Sequence, residues 1–513
     1  MAGDSPLALL LLLLFFLFAL CISSLALSSS PQSDPLSVCI VGAGIGGSSA
    51  AHFLRQYSPA PFAGPPTLRI RVFERNPVVG GRMARVKIDG DTFEAGGSIL
   101  HPKNYHVLNY TKLIGLKIKW PNSSKAGDGD DDDGSFGIWD GKKFVFKTWS
   151  VPNTKKLPFV DKVVSFANAL QLFFRYGLSL IRMNSFTEST VNKFLKYYES
   201  FETRPVFETV DDMLKWAGLY NLTTRTLEEE LVDAGLCPAL IKELITVITR
   251  VNYGQSSRIS GLAGAVSMAG AGDNLWQVEG GNWQMASGLL NVSDISLHLS
   301  EEIESISKLG NYYELNSTKG NSYKCEVTIV ATPLDELSIR FDPPVSIPPR
   351  KLQHTHATFV RGLLNPAYFG LGSAADIPHL VGTIEEPGLP FSSISILTRH
   401  SEKDATYKVF SRQTMGDALL DQIFSVRQET IRIDWGAYPH YQAPEVFAPF
   451  ILDGRHLYYI NAFENAASTM ETSAVAAENV ARLILTRLFG KVDHSVSMSS
   501  DASASDIRLH SDL

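Results

Sequence analysis

Apolar and polar positions change period several times along the chain, and each change marks an element. Leu7 to Ile22 is an unbroken apolar run, followed by the small residues Ser23, Ser24 and Ala26. Val38-Cys39-Ile40-Val41 has the pattern of a buried strand, Ser48 to Tyr57 is helix-like, and Arg69 to Glu74 reads as a second strand ending in an acid. In the middle of the chain Val163, Phe166, Leu170 and Phe173 recur at helical spacing, while Ser165, Asn168 and Gln171 take another face. From Ile295 the pattern shortens to strands at Ser296 to Leu299, Ile303 to Ile306, Tyr312 to Leu315 and Tyr323 to Thr328. These lead into Val327 to Thr332, another buried strand with a sharp stop at Pro333. The stretch from Phe341 to about Pro449 is mixed, with β-rich pieces at Ser392 to Thr398 and Thr406 to Ser411. Leu457 to Ala462 is a further strand, and a helix follows from about Met470 to Leu488. The Ser- and Asp-rich residues 491–513 lack periodicity and predict a disordered tail.

The leading apolar run predicts a signal peptide over residues 1–26, cleaved after Ala26. A retained anchor is the alternative, although the run is short for a span of about 20 residues. Five sequons, at Asn109, Asn122, Asn221, Asn291 and Asn316, agree with a lumenal protein of the secretory pathway. Length of 513 residues implies more than one domain, and 44% hydrophobic with 19% charged residues describes a folded chain. The formal charge of −7 argues against a nucleic-acid partner. Asp128 and Asp130 to Asp133 read as a solvated loop, and no Cys/His spacing suggests a metal site. Of four cysteines, Cys21 leaves with the leader. Cys39 reads as a small core residue, and Cys237 and Cys325 are the pair able to bond, though nothing demands it.

Between the first two strands lies Gly42-Ala43-Gly44-Ile45-Gly46-Gly47. Strand, glycine turn, helix, strand and terminal carboxylate is the order that holds an ADP moiety. Gly42 permits the tight turn, Gly44 lets backbone approach a pyrophosphate, and Gly47 lets helix and sheet pack closely. The helix N-terminus offers free N–H groups to phosphate, and Glu74 accepts from ribose hydroxyls.

Just past Glu74, Gly80-Gly81-Arg82 resembles the flavin amine oxidase and desaturase superfamily. The strand before Phe463-Glu464-Asn465 and the helix opening at Thr469-Met470-Glu471-Thr472 resemble that superfamily's C-terminal FAD motif. The resemblance implies FAD as cofactor and an α/β fold, with a discontinuous Rossmann-like FAD domain, a small antiparallel layer formed by the strands from Ser296 that returns to the parallel sheet, and a mixed α+β substrate domain. The domains are placed at 36–110, 262–342 and 450–490 for FAD, and at 111–261 and 343–449 for substrate. Phe93-Glu94-Ala95-Gly96-Gly97-Ser98-Ile99-Leu100-His101-Pro102 with Asn104, Tyr105 and His106 narrows the likeness to the prenylcysteine oxidases, including farnesylcysteine lyases. So do Arg250 to Gln255, Gly264 to Ser267, Leu275 to Asn282 and Ser468 to Ser473.

That family resemblance implies oxidation of farnesylcysteine, or geranylgeranylcysteine, by O2 and water to prenyl aldehyde, cysteine and hydrogen peroxide. Carbon 1 of the prenyl group is allylic and bonded to sulfur, so hydride loss leaves a cation stabilised from both sides. The cofactor set is then Gly42, Gly44, Gly47, Glu74, Gly81, Arg82, Gly96, Gly97, Glu464, Met470, Glu471 and Thr472. Gly280, Gly281 and Asn282 are placed near it, or in a simple tight turn. His101 is the candidate proton relay, with a satisfied structural histidine as the alternative. Phe166, Leu170 and Phe173 are assigned to the prenyl chain and Arg361 to the substrate carboxylate. The same helix also reads as a core helix, or as one in peripheral contact with a membrane. A lysosomal or vacuolar lumen is the expected compartment. A flavin amine oxidase, a lipid desaturase and a non-catalytic prenyl-binding carrier are the competing functions.

Overall fold

The computed structural model describes residues 35–490 apart from 60–66, 121–133, 150–157, 200, 202 and 273. The leader, the acidic run, Asn122 and the tail at 491–513 lie outside the described residues.

A five-stranded parallel sheet runs in the spatial order Leu457–Tyr459, Val327–Val330, Leu36–Val41, Leu68–Glu74, Ser296–Leu299. Its central strands are mostly apolar and almost fully buried because both faces are covered. The helices Ile45–Tyr57, Trp283–Val292 and Met470–Phe489 contribute to the same core. The sheet therefore gathers pieces from both ends and the middle of the chain.

Ser296–Leu299 departs from the expected antiparallel layer. It pairs in parallel beside Leu68–Glu74, with Val72 opposite Leu297. The preceding helix Trp283–Val292 brings the chain back to the sheet in the manner of a βαβ crossover, which alternation of side chains alone does not reveal. The separate layer has four strands, ordered Ser322–Cys325, Tyr312–Ser317, Ile303–Leu309, Arg340–Asp342, and the last of these joins in parallel.

A seven-stranded sheet forms the second unit, ordered Phe424–Pro439, Leu352–Leu364, Asp404–Ser411, Ser393–Ser401, Leu380–Thr383, Phe136–Trp139, Phe144–Lys147. The hairpin Arg85–Ile88/Asp91–Glu94 lies on it, packing Val86 and Ile88 with Ala357 and Phe359. Helices between Pro158 and Ala269 form the remaining layer.

The disulfide joins Cys39 to Cys325, with Cα atoms 5.8 Å apart, and Cys237 is free. The pairing of Cys237 with Cys325, which the sequence left open, does not form, and the reading of Cys39 as a small core residue without a partner is corrected. The parallel register sets Val38 opposite Val327, so the strand ending at Cys325 arrives beside Cys39. Cys237 is held elsewhere, its N–H donating to Ser179 Oγ at 2.9 Å.

Candidate functional site

The first strand delivers Gly42 at φ +109, a left-handed-side conformation open to glycine, with its N–H donating to the Phe73 carbonyl at 2.8 Å. A Cβ on Gly47 would be driven into the carbonyl oxygen of Gly42, so helix and turn can approach only without a side chain. Gly44 opens the helix with no side chain capping it, which leaves N–H groups free for an anion. Glu74 is buried, and its carboxylate accepts from Ala43 N (3.0 Å), Asn76 N (2.9 Å) and Asn76 Nδ2 (2.8 Å). An ionised carboxylate accepts about four bonds, so Glu74 retains capacity for a hydroxyl.

The second glycine pair lies against the first turn. Gly80 N–H donates to Ala43 O at 3.0 Å, and the Cα of Gly81 faces Gly44. Arg82 is ion-paired with Glu464 and donates to Ala437 O at 2.7 Å. Glu464 also accepts from Arg350 and Asn461, both at 3.0 Å, and from Ser468 Oγ at 3.0 Å. Burial raises the Glu464 carboxyl, but Arg82 and Arg350 outweigh that and hold it down to about 2. Both of its oxygens are committed to protein donors. Glu464 therefore ties the glycine–arginine loop to the C-terminal strand rather than presenting a free carboxylate.

A third loop, 94–98, closes over these two. A Cβ on Gly96 would enter the carbonyl of Arg82, and one on Gly97 would lie 3.6 Å from Met470 Cε. Asn282 is fully buried and donates from Nδ2 to Gly97 O (3.0 Å) and Ser98 O (3.1 Å). Its own N–H donates to Glu94 Oε1 at 2.6 Å, while Glu94 Oε2 is buried without a partner. Burial raises the Glu94 carboxyl above the usual range. From the seven-stranded sheet, Lys408 Nζ donates to Glu94 O at 2.9 Å. Burial pulls that lysine down to about 8, against an opposing pull from Glu94.

The C-terminal helix starts in a reciprocal cap between Thr469 and Thr472. Thr472 Oγ1 also donates to Ala467 O at 2.9 Å. Glu471 turns away from the loops and accepts from His106 N (2.8 Å), Val107 N (3.0 Å) and Tyr198 Oη (2.5 Å), capping the helix Tyr105–Ile114. Tyr441 accepts at its hydroxyl from Ser468 N at 2.8 Å, and Tyr253 Oη donates to Ser468 O at 3.1 Å. Tyr253 meets Tyr438 and Tyr441 edge-on, at 5.0 and 5.1 Å between ring centres. Gln255 secures Tyr441 by bonding both its N–H and C=O.

Other expected residues lie elsewhere. His101 Nδ1 accepts from Lys103 N at 3.1 Å, and burial, with Lys103 adding to it, lowers the imidazole pKa. Its Trp276 contact is through the backbone carbonyl, as for a structural histidine. Arg361 is paired with Asp404 at 2.8 Å and with Asp89 at the hairpin tip, which corrects its assignment to a substrate carboxylate. Phe166, Leu170 and Phe173 face outward from the helix Pro158–Tyr176, with Phe166 65% exposed. They correct the expectation of an enclosed prenyl lining, because helical periodicity defines a face without saying what covers it. Asn109, Asn221 and Asn291 are exposed, while Asn316 is half-buried and donates to Ser305 Oγ at 3.3 Å.

Arg350, Lys408, Tyr438 and Tyr441 were not expected at this junction. A sign of Lys408 exists in sequence, since Ala405-Thr406-Tyr407-Lys408-Val409-Phe410 is a core-type strand interrupted by one cation. Arg350 and the tyrosines carry no comparable local signal.

Residues 159–496 match the prenylcysteine lyase family, and 40–112 match the NAD(P)-binding Rossmann-like domain. The chain is 62% identical to farnesylcysteine lyase of Arabidopsis thaliana, covering 94% of each protein. It belongs to the prenylcysteine lyase family. Prenylcysteine oxidase 1 of Homo sapiens is 33% identical, with 90% of this chain and 91% of that protein covered. Among solved structures, cyclohexylamine oxidase from Brevibacterium oxydans superimposes with a TM-score of 0.56 at 18% identity, over 88% of this chain and 99% of that one. A putrescine oxidase variant gives 0.56 at 14% identity, over 88% and 100%. These likenesses place this family member in the amine oxidase-like fold.

The cradle fits a dinucleotide cofactor. Gly42 and Gly47 sit where a Cβ would collide, the helix behind Gly44 has uncapped N–H groups, and Glu74 keeps an accepting position.

Proposed function

We propose that this chain is an FAD-dependent oxidase that cleaves S-prenyl-L-cysteine, in the breakdown of prenylated proteins. The observation that carries this reading is 62% identity to a farnesylcysteine lyase over nearly the whole of both chains, joined to an intact dinucleotide cradle. The 42–47 turn and Glu74 would hold the ADP moiety, and Gly81, Gly97 and the start of the C-terminal helix would border the rest. When bound, FAD supplies the hydride acceptor and the route to O2.

The substrate needs little from protein acids or bases. Loss of hydride from the allylic carbon leaves a sulfur-stabilised cation. Water adds to that carbon, and the hemithioacetal collapses to aldehyde and thiol. O2 takes up the two electrons as hydrogen peroxide, so the balance is thioether, O2 and water to aldehyde, thiol and peroxide. The protein's task is to orient the C–H bond and limit stray water. Tyr253 and Tyr441 are buried and Tyr438 half-buried, and their edge-on rings form a packed wall suited to this beside the C-terminal loop.

Residence in an oxidising secretory lumen, lysosomal or vacuolar, is part of the proposal. The apolar leader, three exposed sequon asparagines and the Cys39–Cys325 disulfide support it. Peripheral contact with a membrane is the further element, supported by Phe166, Phe173, Phe174 and Ile181 facing outward on neighbouring helices. Among the described residues no helix is long and apolar enough to cross a membrane.

The test is an aerobic assay of purified protein with S-farnesylcysteine, following farnesal, cysteine, peroxide and the visible spectrum together. Yellow protein that forms all three products is the expected result. Yellow protein inert toward the thioether points to an amine or lipid substrate, and colourless protein that only binds it points to a carrier.

A further inference from the structure

A lysine in the core of a strand is costly. Lys408 lies in Asp404–Ser411, opposite Phe359, and is 5% exposed. Its ammonium sits 4.6 Å from the ring centre of Phe410 and 5.7 Å from that of Phe359, each a cation–π contact of modest strength. Packing alone would favour leucine or methionine at this site, since replacing buried charge with well-fitted apolar groups is often neutral or stabilising. What an apolar residue would lack is the 2.9 Å bond from Nζ to the Glu94 carbonyl.

That bond begins a chain of contacts. Glu94 receives Lys408 at its carbonyl and the Asn282 N–H at Oε1, and Asn282 holds the carbonyls of Gly97 and Ser98. Gly97 lies against Met470 at the start of the C-terminal helix, and its N–H donates to Arg82 O at 3.2 Å. The 94–98 turn is thus fastened to the seven-stranded sheet on one side and borders the dinucleotide cradle on the other. The far end of the hairpin is already tied to that sheet, by Arg361 to Asp89 and by Asp89 N–H to Glu429 at 2.8 Å. Lys408 is therefore not needed merely to attach the hairpin.

We propose that Lys408 is a positioning residue which, through Glu94 and Asn282, sets the 96–98 turn against the bound cofactor and transmits a buried positive charge to its edge. The inference rests on the FAD reading. A fixed cation beneath that turn favours the reduced cofactor, which carries more negative charge, over the oxidised one.

The experiment compares full-length wild type, Lys408→Met and Lys408→Arg, measuring FAD content, melting temperature, two-electron midpoint potential, kcat and KM for S-farnesylcysteine. Lys408→Met is expected to fold at least as stably as wild type and to retain FAD. Its preference for reduced over oxidised cofactor is expected to drop about tenfold, equivalent to a midpoint ~30 mV lower. kcat should fall about tenfold with KM within about twofold, and Lys408→Arg should restore most of both. Wild-type potential and kcat in Lys408→Met would overturn the inference. Should Lys408→Met not fold, Lys408→Gln, which keeps a donor for the Glu94 carbonyl without the charge, is read instead. A lowered midpoint there supports the inference and an unchanged one overturns it. A colourless wild type would defeat the cofactor reading itself, whereas yellow wild type with an unaltered variant defeats the Lys408 inference alone.

Discussion

Two residues of the cradle separate geometry from charge. Gly47 has no room for a methyl group, because its Cβ would run into Gly42 O. Gly47→Ala should therefore force the turn and helix apart, giving protein that purifies without visible flavin absorbance and melts several degrees lower. Glu74 works through its lone pairs. Glu74→Gln preserves shape but loses the charge that strengthens a ribose hydroxyl bond, at about 1.4 kcal/mol. FAD affinity should drop about tenfold, checked by fluorescence titration of the stripped protein; unchanged affinity would remove Glu74 from the ribose role.

Elements are joined by long-range fastenings that local sequence does not announce. The disulfide connects two chain positions 286 residues apart and ties the four-stranded layer to the parallel cofactor sheet. Cys39→Ser with Cys325→Ser should cost ~2–5 kcal/mol, seen as an earlier denaturation midpoint, with Cys237→Ser close to neutral. The helix pair Pro158–Tyr176 and Ser179–Phe194 presents Phe166 and Phe174, the latter 81% exposed. Phe166→Asp with Phe174→Asp should abolish co-sedimentation with phospholipid vesicles while leaving turnover of dispersed substrate within about twofold of wild type. Wild type that fails to sediment would end the membrane proposal.

At the scale of the whole molecule, buried ion pairs join its parts and set its acid tolerance. Glu464 links Arg82, on the first nucleotide-binding stretch, to Arg350, which precedes the seven-stranded sheet. Glu478 on the C-terminal helix meets Arg204 at 2.7 Å and His106 at 3.4 Å. Burial raises the Glu478 carboxyl, but the neighbouring His106 and Arg204 bring it to about 2. Both carboxyls have an ordinary value of 4.5 and folded values near 2. Their folded pKa is depressed, so their stabilisation is complete above the unfolded value and lost as pH falls toward the folded one. Urea unfolding should show stability that is flat with respect to these two groups above about pH 5.5 and falls steadily below about pH 4.5.

By itself the sequence determined the cofactor cradle, the family and the broad α/β class. These are encoded within short stretches: glycine where a Cβ cannot fit, a carboxylate at a strand end, apolar residues on strands covered from both sides. Gly42, Gly47 and Glu74 were legible for that reason. Only the tertiary structure decided which distant segments meet. It put Cys39 beside Cys325, carried Ser296–Leu299 to the edge of the parallel sheet, and gave Arg361 two aspartates in place of a substrate. It also turned Phe166, Leu170 and Phe173 outward and sank Lys408 beneath the 94–98 turn. Periodicity records that a face exists; the partner of that face, and the charge state of what it buries, depend on chain returning from hundreds of residues away.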